Sequence, residues 1–112
     1  MTNLRSGDVV TGFFTGAAED KARPAVIVSS DVYHEKRPDI VLCFLTTQIA
    51  GLNLPTDFVL HDWREAGLKQ PSALRCFFVT VRASEVSKIG QLSGADWLEV
   101  QARLRLALDV SL

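Results

Sequence analysis

Cysteine is scarce, with two residues, Cys43 and Cys76, in a chain of 112. They form no CxxC pair, so neither a disulfide framework nor a zinc site is indicated. Each lies in an apolar run and is expected to be a buried thiol in a reducing compartment. Long hydrophobic runs are missing too. No stretch approaches the ~20 residues of a membrane helix, and the polar residues 1–8 carry no signal region. A soluble, cytoplasmic protein with no membrane partner is expected. An excess of one charge is also lacking. Lys plus Arg is 12 and Asp plus Glu is 13, for a net charge of −1. That excludes a strongly basic module that coats nucleic acid and a polybasic membrane anchor, but not a local basic cleft. Cations outnumber anions only in residues 21–37 and 69–112. The common catalytic signatures HExxH, GxSxG, GxGxxG and the Walker loop are absent. The two histidines, His34 and His61, fall in separate expected loops, and a metal site built from them would need carboxylates that the sequence does not place with them. No metal and no cofactor are expected.

What is present is an ordinary globular composition, 47% hydrophobic and 22% charged, of a length that fits one domain over residues 1–112. Residues 9–15 read as a β-branched, aromatic strand, and 16–22 as a polar loop. Arg23-Pro24 opens a short apolar strand over 25–29, a position where the missing proline N–H is tolerated. Residues 31–39 read as a second polar loop, and 40–47 as a central strand buried on both faces. Residues 48–55 form a connection, 56–60 a short strand, and 61–70 a loop with one helical turn at 63–66. A further strand covers 73–81. Five short strands at this spacing point to a small barrel or curled sheet. The period then changes. Ser93 sits three residues before Asp96, close to a capping box. Trp97, Val100, Leu104 and Ala107/Leu108 mark one face of a terminal helix that docks on the sheet.

Three polar clusters stand at strand ends, where a rigid sheet presents exposed residues. They are residues 19–24, Tyr33 to Arg37, and Thr46-Thr47-Gln48. Arg23 can present a planar, permanently charged guanidinium. Thr46 and Thr47 lie near it if the second and third strands pair, as neighbours joined by a short connection tend to. On spacing alone the threonines read as ordinary strand formers and Arg23 as a surface cation.

Read in order, Arg5-Ser6-Gly7-Asp8-Val9-Val10, Arg23-Pro24-Ala25-Val26-Ile27-Val28-Ser29, Leu45-Thr46-Thr47-Gln48-Ile49 and Leu54-Pro55-Thr56-Asp57-Phe58-Val59-Leu60 resemble the MazF/PemK family of toxin–antitoxin toxins. Ile89-Gly90-Gln91-Leu92-Ser93 and the terminal helix extend the match. The resemblance implies a mainly β fold, a small SH3-like antiparallel barrel with a C-terminal helix. It implies a homodimer that cuts single-stranded RNA without a metal: the ribose 2′-hydroxyl attacks the adjacent phosphate and leaves a cyclic phosphate and a 5′-hydroxyl. It also implies a cognate, MazE-like antitoxin whose tail covers the RNA groove.

By the family's RP and TxQ motifs, Arg23 and Thr46 would be the catalytic pair. Glu19 is the natural candidate base for the 2′-hydroxyl, with Asp20 and His34 as the alternatives. Lys21, His34, Lys36, Arg37, Thr47, Gln48 and Arg82 would bind RNA. Arginine suits charge stabilisation rather than proton abstraction, since its reference pKa lies above 12. A guanidinium donating two hydrogen bonds stabilises charge on the non-bridging oxygens. Many family members carry a longer first loop, and an acidic–Gln pair where this chain has Phe77-Phe78. These phenylalanines are expected in the core or at a dimer interface, with stacking on a base as the alternative. The rival reading is a non-enzymatic, CcdB-like gyrase poison or binding module on the same fold. The terminal residues 106–112 offer no aromatic wedge for it.

Overall fold

The computed structural model describes residues 3–14 and 22–110. The loop expected at 16–22 falls almost wholly outside them. Six strands form one antiparallel sheet: β1 (Asp8–Gly12), β2 (Arg23–Ile27), β3 (Asp39–Thr46), β4 (Phe58–Val59), β5 (Ala73–Arg82) and β6 (Val86–Gln91). Their spatial order is β4-β5-β3-β2-β1-β6. A single-turn helix, α1 (Asp31–Glu35), joins β2 to β3, and α2 (Gly94–Ala107) ends the fold.

The two faces of the sheet carry separate cores, because successive residues of a strand point to opposite sides. Val9, Val26, Cys43, Leu45 and Leu74 pack with Val100 of α2, and Trp97 and Leu104 add to the same face. Val10, Ala25, Ile27, Leu42 and Phe14 pack on the other face. Helix α2 begins where expected: Ser93 Oγ accepts the Asp96 N–H at 3.1 Å. The Asp96 carboxylate does not return to the cap, however. It is buried and accepts the backbone N–H groups of His61 (3.1 Å) and Asp62 (2.8 Å), tying the helix to the preceding loop. The apolar face fades toward the C-terminus, where Ala107 and Leu108 are exposed.

Three expectations change. The sheet is not closed into a barrel: among the described residues β4 and β6 remain unpaired edges. β4 has only two residues, and the space beside β6 is taken by a turn rather than a strand. Gly67 and Gly90 meet there so closely that a Cβ on either would collide with a backbone carbonyl of the facing segment. A sixth strand, β6, was not expected. The loop expected at 31–39 contains α1, capped by Ser30 Oγ on the Tyr33 N–H.

Candidate functional site

Arg23 is the first residue of β2 and Thr46 the last of β3. The two strands pair antiparallel with Ala25 opposite Phe44, Val26 opposite Cys43 and Ile27 opposite Leu42. Continued by two residues, that register sets Arg23 opposite Thr46. Gly12 pairs with Arg23 on one side and Ala73 with Thr46 on the other. The guanidinium and the hydroxyl are thus flanked by the two smallest side chains, on the sheet face away from α2. Packing at Gly12 is tight as well: a Cβ would lie 3.0 Å from the Glu85 carbonyl oxygen and 3.2 Å from Phe14.

Arg23 is half-buried. Its Nε is enclosed and has no hydrogen-bond partner among the described residues. A buried donor without an acceptor is unfavourable by about 1–3 kcal/mol, and an acceptor oxygen brought to it would relieve that cost. Thr46 Oγ1 accepts the Gln48 N–H at 3.1 Å. Its own proton is therefore left to donate outward. Thr47 and Gln48 follow in an exposed turn. This end of the sheet gathers Arg23, Thr46, Thr47 and Gln48 as expected. Glu19, Asp20 and Lys21 lie outside the described residues.

The other expected residues stand at the opposite end of the β2–β3 pair. β3 runs seven steps from Asp39 to Thr46, roughly 23 Å at strand spacing. Asp39 pairs with Arg82 there. Arg37 binds Asp39 (Nε–Oδ1 3.1 Å) and lies 4.7 Å above the Tyr33 ring, whose hydroxyl donates to Asp39 Oδ2 at 2.9 Å. Hydrogen bonds from Arg37 and Tyr33 hold the Asp39 carboxyl below its usual range, while Asp39 pushes the Tyr33 hydroxyl up. Lys36 and Arg82 are exposed. His34, expected in a solvated loop, is buried on α1. Its Nε2 lies 2.6 Å from Ser29 Oγ, which also accepts the Val41 N–H at 3.0 Å. Its ring is turned inward, because the single turn of α1 lays that side against β3.

Sequence reasoning singled out Phe77 and Phe78 but missed the rings that Phe77 joins. Phe14, Phe44 and Phe77 stand in a row, with ring centroids 5.2 and 5.4 Å apart. Phe78 packs in the α2-side core, while Phe77 is 56% exposed. Strict alternation along β5 could have separated the two. A concavity of about 250 Å3 lies elsewhere, between α2 and residues Ser6, Val28 and Ser30. Neither Arg23 nor Thr46 lines it.

Comparison with known proteins agrees with the fold. A mycobacterial endoribonuclease solved in complex with its cognate antitoxin superposes with a TM-score of 0.77 at 20% identity, over 100% of this chain and 99% of that one. The toxin MazF-mt6 of Mycobacterium tuberculosis gives 0.74 at 22% identity, over 94% and 99%. MazF in a MazE–MazF structure from Deinococcus radiodurans gives 0.73 at 19%, over 96% and 97%. No curated protein matches by sequence. The sequence profile of the PemK-like, MazF-like toxins of type II toxin–antitoxin systems matches residues 5–108. The chain belongs to that toxin family.

Proposed function

We propose that the protein is an endoribonuclease toxin that cuts single-stranded RNA without a metal and is neutralised by a cognate antitoxin. The observation that carries this reading is the unpartnered Nε of Arg23 at the register position facing Thr46. In the reaction the ribose 2′-oxygen attacks the adjacent phosphorus in line. The 2′-oxygen–phosphorus bond forms, the bond to the 5′-oxygen breaks, and the products are a cyclic phosphate and a 5′-hydroxyl. Negative charge grows on the non-bridging oxygens, where a guanidinium fork and the Thr46 hydroxyl supply fixed donors. Arg23 can also protonate the departing 5′-oxygen. Glu19 is the candidate to take the 2′-hydroxyl proton. His34 does not fit that role, because it is buried at the other end of β3. Thr47 and Gln48 would contact nucleotides next to the cut. Lys36, Arg37 and Arg82 would meet phosphates several nucleotides away, given the roughly 23 Å between the two ends. Solved relatives in complex with antitoxins support an antitoxin partner, and the family resemblance supports a homodimer.

The test is cleavage of single-stranded RNA by purified protein in excess EDTA, with the new ends sequenced and their chemistry determined. Cyclic phosphate and 5′-hydroxyl ends are expected, and Arg23→Ala should lower the rate by about 10³-fold or more while leaving the fold intact. Full activity in Arg23→Ala would remove the site assignment. Intact RNA together with inhibited DNA supercoiling would favour the gyrase-poison alternative.

A further inference from the structure

Phe77 is the exposed end of a row of rings that begins in the core. Phe14 is 6% exposed and touches Phe44; Phe44 touches Phe77, which is 56% exposed. Alternation along β5 fixes which way each residue points. Leu74, Cys76 and Phe78 pack in the α2-side core. Arg75 and Phe77 therefore project from the opposite face, the face of Arg23, Phe44 and Thr46. An irregularity strengthens the placement. Between the pairs Cys43–Phe78 and Leu45–Leu74, three residues of β5 face the single residue Phe44 of β3. A bulge of this kind re-aims side chains, and here it brings a cation and a ring together beside Phe44.

We propose that Phe77, backed by Phe44, is a base-stacking residue that holds one unstacked base of single-stranded RNA while a neighbouring phosphate lies on Arg23 and Thr46. The proposal deepens the endoribonuclease reading and rests on it. Phe44 and Thr46 are two residues apart on one face of β3, about 7 Å, within reach of a base and a phosphate of adjoining nucleotides. Contact with Phe44 restrains the Phe77 ring, so little side-chain freedom is lost on stacking. The charged side chains beside the rings on β2 and β5, Arg23 and Arg75, are both cationic. They complement phosphates, whereas a second copy of the same face would set like charges together.

The experiment measures binding of a fluorescein-labelled, randomised 12-mer pool with 2′-fluoro sugars, which lack the attacking hydroxyl. Wild type, Phe77→Ala, Phe77→Leu and Phe77→Trp are compared at several salt concentrations, with sedimentation of each variant. Stacking predicts that Phe77→Ala weakens binding by about 5- to 100-fold with an unchanged salt slope. Phe77→Leu should weaken it similarly, because an aliphatic side chain has no face to stack. Phe77→Trp should bind like wild type, and its added indole emission should be quenched by the oligomer. Wild-type affinity in Phe77→Ala or Phe77→Leu overturns the proposal. So does conversion of a dimer to a monomer by Phe77→Ala, which would make Phe77 an interface residue. Failure of wild type to bind the pool overturns the endoribonuclease reading itself, an outcome distinct from loss of the Phe77 effect alone.

Discussion

Thr46 accepts the backbone N–H of Gln48 on Oγ1 at 3.1 Å, and that bond leaves its hydroxyl proton free to donate across the strand toward the space in front of Arg23. A donor held in place before the reaction acts chiefly on charge that develops in the transition state. Thr46→Val keeps the shape and removes the donor. It should slow single-turnover RNA cleavage by about 10²-fold and change RNA affinity little. Thr46→Ser should stay near the wild-type rate. Equal rates for Thr46→Val and wild type would remove Thr46 from the mechanism.

Asp96 links two parts of the fold that lie far apart in sequence. Its buried carboxylate accepts N–H groups from His61 and Asp62, while its own N–H is held by Ser93. Asp96→Ala takes the acceptor from both part-buried N–H donors. It should destabilise the protein by about 2–4 kcal/mol, read from the urea midpoint at unchanged slope. Asp96→Asn keeps an acceptor oxygen and should lose less. A midpoint unmoved by Asp96→Ala would show that water replaces the carboxylate at no cost.

The strongly patterned elements were legible in the sequence. β3 announces itself as a continuous apolar run, and α2 by Ser93 and the three- and four-residue steps from Trp97 through Val100 to Leu104. β6 was not legible, because Val-Ser-Lys-Ile-Gly-Gln has the polar, lysine-bearing make-up of an edge strand. Helix α1 is one turn long and offers no period to detect. At the site, pairing of β2 with β3 was enough to bring Arg23 to Thr46. The distance from Arg23 to His34 and Arg37 was misleading: they are close in sequence, but β2 carries the chain away before α1 begins. Phe77 and Phe78 look alike as letters and are separated only by the face each takes on β5.

Gly67 and Gly90 support a further prediction. Gly67 has φ +85° and backs onto the Ile89 carbonyl, whereas Gly51, at φ +88°, has open space around it. Gly51→Ala should therefore show only the strain of a left-handed residue, about 1–2 kcal/mol. Gly67→Ala adds a backbone collision that must push β6 away from the turn. It should be more destabilising than Gly51→Ala by at least about 1 kcal/mol, measured by denaturant unfolding of both. Equal losses would mean that the turn and β6 separate freely.

The thiols give the pH dependence its sign. Burial, with the neighbouring Cys76 adding to it, pushes the Cys43 thiol up to about 12. Burial also raises Cys76, and the charge of Asp57 adds to the rise. A thiol with its folded pKa above its unfolded value binds more protons in the folded state between the two values. The stability tied to Cys43 is thus fully present below about pH 8.5, the free-thiol value, and falls as pH climbs toward 12. The limiting slope for one such group is about 1.4 kcal/mol per pH unit. Urea midpoints at pH 8, 9.5 and 10.5 should fall less steeply for Cys43→Ala than for wild type, although the variant starts lower at pH 8 because it leaves a small cavity. The same burial predicts that iodoacetamide at pH 8 leaves Cys43 unmodified in the folded protein and alkylates it in urea. Parallel pH profiles for wild type and Cys43→Ala, or rapid alkylation of native Cys43, would show that the thiolate is tolerated between β2 and β5.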